Sequence, residues 1–542
     1  MPGPHLSRRS FLTGIAWGLA ALPLRPLSLV AAPHSAILPV VGQTSDGRVA
    51  FHVPPDGGNC IDAAVATALI ATIQAPIQTG IGGYGMSAVV AVDGGRRVIA
   101  VDGNSTAPQS MTRDFFQPRG DASVPRRDQE IGWLSAGVPG VLAGLQLLLD
   151  RWGTRRFGDL VQPAIGLARD GIRWPGSYNN SIVSRAIFRE DPGSRKLYLP
   201  QGSPPQNGDL FRNPELADML DTLAQANSVA AFYRGDIAQR IADAFARQGG
   251  LVTTHDLASY RACEAEPLRL TWEDCTIHTA PLTAGGLSVL QALQTLRALQ
   301  SAAWTDPRDQ AVARIESLRL AWRDRLTLLG DPAAVEVPVE RLLSAEYAAA
   351  SAERIIAAVS AGKILEHGLQ TRSQAGTIHI SAADADGNFI ALTLTHGQAF
   401  GACVTVDGLG LTLGHGVSRF DPRADHPNSP GPGKRPLHNM VPTIVSRAGR
   451  AELAVGGAGG RKIPNSLHEV LRQYVVERQP LAAALAAPRV HTEGPPNLLL
   501  SRSWPAGEVE YLQSRGYRIS TGAGATMSAV AKEQGRLVPG RG

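Results

Sequence analysis

The chain has 542 residues, 44% of them hydrophobic, a formal charge of +5 and four cysteines. That supplies a sizeable core for one large domain or two. An export segment would carry away Arg8, Arg9 and Arg25 but no acid, so +5 falls to +2 and no basic patch remains for nucleic acid. Cys60, Cys263, Cys275 and Cys403 follow no zinc spacing, and buried free thiols are expected.

Ser7-Arg8-Arg9-Ser10-Phe11-Leu12-Thr13 precedes an apolar run from Gly14 to Leu24, then Arg25 and the small residues around Ala31. This reads as a twin-arginine export signal over residues 1–36, cut somewhere between Val30 and Ala36. The run is far short of the roughly 20 apolar residues of a membrane span. A periplasmic or secreted protein, not membrane-bound after export, is expected.

An alanine-rich helix is expected from Gly58 to Ala71, capped by Asn59. Gly80 to Gly85 satisfies G-x-G-x-x-G, but a dinucleotide site needs a strand before the loop and a helix after it, whereas Ala88–Val92 reads as a following strand. Nucleotide binding there is rejected. Further helices are expected after Val138-Pro139-Gly140, over Arg155–Gly171, Gly286–Leu299 and Val312–Leu329, the last closing on Asp324-Arg325 and Gly330-Asp331-Pro332 as a charged face and capping turn. From Ala352 to Ala375 the composition turns polar and reads as an exposed loop, as a processing site requires.

Gly376 to Thr395 organises the rest. Apolar and small residues alternate on both sides of Asp386-Gly387, which reads as a β-hairpin. With a three-residue connection and Gly387 in the left-handed region, Asp384 opposes Asn388 and Thr377 opposes Thr395; a two-residue loop would turn Thr395 to the other face. The first register sets two hydroxyls side by side. A threonine hydroxyl needs a base, and a chain cut before Thr377 offers its own α-amino group, with a pKa of roughly 7.7–8.0 near working pH. Gly376 would leave the scissile carbonyl open, and Thr395 would orient the Thr377 hydroxyl. A Gly-Thr pair opening a strand is also ordinary β sequence. Further on, Gly459-Gly460 before a helix presents free amides at the positive end of a dipole, suited to an oxyanion hole, although a plain glycine turn stays open. No G-x-S-x-G, H-E-x-x-H or metal cluster is present, and no cofactor is expected.

Thr377, His379, Ser381, Asp384, Asp386, Gly387 and Asn388 resemble the start of the small subunit in the γ-glutamyltranspeptidase (glutathione hydrolase) family, T-x-H-x-S-x-x-D-x-D-G-N. Gly80–Gly85, Val138–Gly140, the Asp324–Pro332 stretch, Gly459-Gly460 and Pro488–His491 are similar to further family motifs in the right order. The resemblance runs from about Asp56 to about Leu512. It implies an α+β fold, the αββα sandwich of N-terminal-nucleophile (Ntn) hydrolases, made of two chains after self-cleavage between Gly376 and Thr377. Residues 37–376 would be the large subunit and 377–542 the small subunit of a heterodimer. It implies an amide hydrolase or acyltransferase with Thr377 as nucleophile, Thr395 beside it, Gly459 and Gly460 as oxyanion hole, and a small-molecule amide as substrate.

The chain departs from the family where the substrate's α-amino acid group is held. Asn104 replaces an arginine, Arg419, counting without gaps from Thr377, replaces an aspartate, His438-Asn439 replace a serine pair, and Gly397 replaces an asparagine. A cation at Arg419 would repel a substrate ammonium and suit a carboxylate. Amides of dicarboxylic half-acids, of glutaryl or oxalyl type, are thus the alternative to γ-glutamyl amides, and an unprocessed exported binding protein is the rival from another class.

Overall fold

The computed structural model describes residues 40–43, 57–117, 130–366 and 376–542. The export signal read over residues 1–36 lies outside the described residues, as does 367–375. Two six-stranded sheets carry the architecture. The first has the order β1 (Val40–Gln43), β7 (Ile378–Ala383), β8 (Phe389–Thr395), β2 (Gly85–Val92), β3 (Arg97–Asp102), β4 (Cys263–Ala265). The second has the order β12 (Arg536–Arg541), β11 (Thr526–Glu533), β10 (Arg450–Ala458), β9 (Thr443–Arg447), β6 (Cys275–Thr279), β5 (Leu268–Trp272).

The side-chain pattern explains the layers. Along β8, Ile390, Leu392 and Leu394 join a core shared with helix α1 (Cys60–Gln74) and helix α2 (Val141–Trp152), while Phe389 and Ala391 join Ile444, Ala454 and Val530 of the second sheet. The second sheet's outer face, with Ile277, Val445 and Leu453, packs on α4 (Gly286–Leu299) and α7 (Lys462–Leu471). Strands covered on both faces read as continuous apolar runs, because every side chain leaves water. The result is helix, sheet, sheet, helix, as the resemblance implies.

Helix α1 starts where the Asn59 side chain accepts from the amides of Ile61 and Asp62, while the Asp62 carboxylate accepts from the Asn59 amide. It precedes the glycine loop, and β2 follows it, the reverse of a dinucleotide site. Helices over Phe157–Leu160 and Gln162–Asp170 (α3) fill the expected 155–171 stretch.

Three expectations need correction. Residues 352–360 continue helix α6 (Ala345–Ser360), since Ala352, Ile355 and Val359 bury one face against α4 and α5 (Pro307–Leu328), so the loop starts only at Ala361. Asp324 and Arg325 are buried rather than a charged outer face, because Gln291 and Tyr347 donate to the one and backbone carbonyls receive the other. Cys263 lies exposed on edge strand β4, whereas Cys60, Cys275 and Cys403 are buried free thiols as expected.

Candidate active site

The β7–β8 hairpin has the three-residue register: Phe389 pairs with Ala383 and Leu394 with Ile378, which carries Thr395 opposite Thr377. Asp384 fixes the turn by accepting from the backbone and side-chain amides of Asn388 and from Cys60, and Gly387 has φ +86°. Thr377, His379 and Ser381 therefore share the face toward the second sheet. His379 is closed in by Thr393 (2.7 Å) and Ser381 (3.1 Å), and Ser381 donates to the Ser528 carbonyl (3.2 Å). Burial pushes the His379 imidazole down to about 3, so it stays neutral and serves as a bolt between the sheets.

At the open end of the hairpin the Gly376–Thr377 peptide is gripped from several sides. The Thr377 hydroxyl donates to the Gly376 carbonyl oxygen at 2.6 Å and lies 3.3 Å from the Thr395 hydroxyl. Thr395 donates to the same carbonyl and accepts from the Gly397 amide at 2.7 Å. Gln78 Oε1 accepts from the Thr377 nitrogen at 3.1 Å. Sequence reasoning missed Gln78, since a single glutamine in the apolar stretch after α1 carries no pattern. Gly376 has φ +146°, and a Cβ there would meet the Gln398 backbone at 2.9 Å, so no other residue fits without strain.

Gly459 and Gly460 lie at this same end. Strand β10 begins beside the hairpin turn, where Ala451 donates to Gly95 and Gly95 abuts Gly387, then passes Gly456 over the His379 ring. It runs on toward Thr377 and ends at Ala458. The amides of Lys462 and Ile463 turn back onto the carbonyls of Gly459 and Gly460, so the glycine amides stand ahead of the first hydrogen-bonded turns of α7. Ala525, held by Ser466 and by Arg489, packs on Gly459 so closely that a Cβ would come within 2.9 Å. Arg489 belongs to the Pro488–His491 motif, which thus supports the glycine turn.

Across the first sheet a row of four positions extends from the hairpin end. Thr377 faces Thr395, Thr395 pairs with Gly85, and the β2–β3 register that pairs Ser87 with Asp102 sets Gly85 opposite Asn104. A Cβ on Gly85 would lie 2.8 Å from Thr395 and 3.1 Å from Asn104 Oδ1, so the missing side chain keeps the row open. Asn104 gives its side-chain NH₂ to Asp102 (2.6 Å), leaving its Oδ1 buried without a partner.

Arg419 closes a 3₁₀ turn, Val417–Arg419, beside the Tyr84 hydroxyl, and its Nε and Nη1 are buried without partners. Burial, and then the neighbouring Arg461 working against the Tyr84 contribution, hold its pKa below the ordinary value. Arg325, read from sequence only as part of a helix end, faces it. Arg325 donates to the His438 carbonyl (2.6 Å) and Asn439 Oδ1 (3.3 Å), and burial followed by Arg461 and Arg419 pulls it down to about 9. Among the described residues neither Arg325 nor Arg419 has a carboxylate within ion-pair distance. His438 offers both ring nitrogens without partners, and burial with Arg325 and Arg419 keeps it neutral. Gly397 is explained too: a Cβ there would strike His415 (2.3 Å) and Tyr84 (2.7 Å).

The structure thus gathers Gly376, Thr377, Thr395, Gly459 and Gly460 at one end of the sheet gap. Asn104 is on the same row, and Arg419, His438 and Asn439 meet around Arg325. The family model for gamma-glutamyltranspeptidase matches residues 48–540. The chain is 33% identical over 485 residues to the acylase ACY 1 proenzyme of Pseudomonas sp. (strain V22), covering 88% of this chain and 86% of that one. It is 29% identical over 510 residues to the glutathione hydrolase proenzyme of Escherichia coli (strain K12), covering 90% and 87%. Among solved structures, the cephalosporin acylase from Bacillus halodurans shares the fold with a TM-score of 0.80 at 24% identity, covering 95% of this chain and 97% of that one.

Proposed function

The chain belongs to the gamma-glutamyltranspeptidase family of Ntn hydrolases, enzymes that act on amide bonds, and from that premise we propose a self-cleaving threonine hydrolase for amides of anionic acyl groups. The carrying observation is the contact of the Thr377 hydroxyl with the Gly376 carbonyl at 2.6 Å, with Thr395 donating to the same oxygen. Oγ adds to the Gly376 carbonyl carbon while Thr395 polarises its oxygen. The C–N bond breaks, the nitrogen takes the hydroxyl proton, and an ester remains. Water then cleaves the ester, giving a Gly376 carboxylate and restoring the Thr377 hydroxyl, with the freed Thr377 α-amino group beside Gln78. Residues 37–376 and 377–542 stay together as a heterodimer, because β7 and β8 lie between β1 and β2 in one sheet. In the same reading residues 1–36 direct twin-arginine export to the periplasm or beyond the cell.

Catalysis repeats the chemistry on a small substrate. The Thr377 amino group accepts the hydroxyl proton, Oγ attacks the substrate carbonyl, and the amides of Gly459 and Gly460 stabilise the developing oxyanion. The intermediate expels the substrate's amine, which takes the proton from the Thr377 amino group, and water or another amine then releases the acyl group from Oγ. Arg419, with Arg325 behind it, favours an acyl group that carries a carboxylate and no ammonium. An unpaired buried guanidinium gains from an anion, whereas a second cation would be repelled.

The test is a denaturing gel of purified protein with N-terminal sequencing. A small fragment starting at Thr377 is expected. A single uncut chain after long incubation would contradict the reading and favour the unprocessed binding protein.

A further inference from the structure

A cavity of about 180 Å³ lies beside the acyl pocket, at the far end of the row that starts at Thr377. Strands β3 and β4 form one wall, with Ala100, Val101 and Ala265, and the segment after β6, with Ala280, Pro281 and Leu282, forms the other. Asn104 and His438 also line it, and exposed Cys263 and Ala333 lie on its solvent side. None of the residues proposed for bond cleavage lines it.

We propose that this cavity is a second ligand site, for a compact, uncharged, mostly apolar molecule bearing a hydroxyl or a primary amide. Three observations fix the class. The volume suits one ring, since about 150 Å³ is enough for benzene. The walls are mainly apolar, so the contact is driven by removing apolar surface from water. The polar atoms left open are one acceptor, Asn104 Oδ1, the neutral His438 ring, which carries one donor and one acceptor, and the donor Arg435 Nε, whose charge Asp102 faces at 3.5 Å. A hydroxyl or amide both gives and takes and can satisfy them. The charged wall residues are already engaged. Asp102 accepts from Asn104 and lies 3.5 Å from Arg435, and Asp331 accepts from the Ala333 and Arg435 amides. An anion would thus meet Asp102 and Asp331, and a cation would meet Arg435, with no free counter-charge. The site exists whether or not the chain cuts itself, so its test stands apart from the proposed reaction.

Cys263 reports occupancy, being the one exposed thiol of the four. Its alkylation by N-ethylmaleimide is timed by mass spectrometry on the full-length purified protein, with phenol, benzamide, benzoate or benzylamine present. Phenol or benzamide at ten times its Kd should slow alkylation roughly tenfold, while benzoate and benzylamine leave the rate unchanged. Ala265→Leu, which fills the cavity from the edge strand, should abolish the protection. Ala333→Leu, on an exposed loop, is the second variant should the first fail to fold. Absence of protection, equal protection by all four compounds, protection by a charged compound alone, or protection that survives a folded cavity-filling variant would each overturn the proposal.

Discussion

Two groups of buried polar side chains flank the hairpin, one at its middle and one near its open end, and they differ in one respect. His379, Thr393, Ser381 and Ser528 close on one another, each hydroxyl and ring nitrogen matched within the cluster or by backbone. Around Arg419, by contrast, Nε and Nη1 are left without partners, and both nitrogens of His438 and Oδ1 of Asn104, likewise unmatched, open onto the neighbouring cavity. Both regions are buried, so an unmatched group is costly in either. The first has the composition of a structural bolt. The second is incomplete until something polar enters, and its surplus is positive. The comparison separates the two functions of the family-like hairpin: its middle holds the sheets, and its end addresses a ligand.

The strongest way to break this division is at the hairpin end. Thr377→Ala should remove both self-cleavage and amide hydrolysis, as read on a gel and with a chromogenic anilide, while Thr377→Ser retains part of each. Next comes the glycine turn. Gly460 has φ +62°, and Gly460→Val, displacing the amides there, should lower kcat by about 10²–10³, or roughly 2.7–4 kcal/mol. Unchanged turnover in a folded, processed variant would remove the oxyanion assignment. Arg419→Ala should raise KM for an anionic acyl amide with kcat little changed, by an amount set by one charge-assisted contact of roughly 1.5–3 kcal/mol.

The closed cluster has a prediction of its own. Burial pushes His379 down to about 3, and does the same to His396, which lies outside the cluster directly after β8, below the unfolded value of about 6.5. Between those values the unfolded chain binds more protons, so stability is fully present above pH 6.5 and falls as the solution is acidified toward 3. Each ring contributes about 1.4 kcal/mol per pH unit in that window. Calorimetry should show Tm decreasing from pH 6.5 to 4; a flat Tm would mean the rings are not buried neutral.

Much of this was legible in the chain. The Asp-Gly turn left two registers, and in the three-residue one that the structure adopts the pairing of Thr377 with Thr395 follows from counting. The capped alanine-rich helix and the glycine turn before α7 carry local signals of the same kind. What could not be read depends on tertiary neighbours. Gln78 touches Thr377 from 299 residues away, and Arg325 meets Arg419 only because α5 packs behind it. Asn104 is a single polar residue until the β2–β3 register sets it across Gly85. The 352–360 stretch misled because its alanines, with Glu353 and Arg354, suit a solvent-facing helix as well as a loop, and packing on α4 decides.

The most direct test of the unmatched, positive end is the ratio of kcat/KM for glutaryl-p-nitroanilide to that for γ-glutamyl-p-nitroanilide on the processed protein. The two substrates differ only by an α-ammonium. The account predicts a clear preference for the glutaryl compound, lost in Arg419→Ala. A preference for the γ-glutamyl compound would show that Arg419 does not face that position, and would contradict the reading of the site as one for acyl groups without an ammonium.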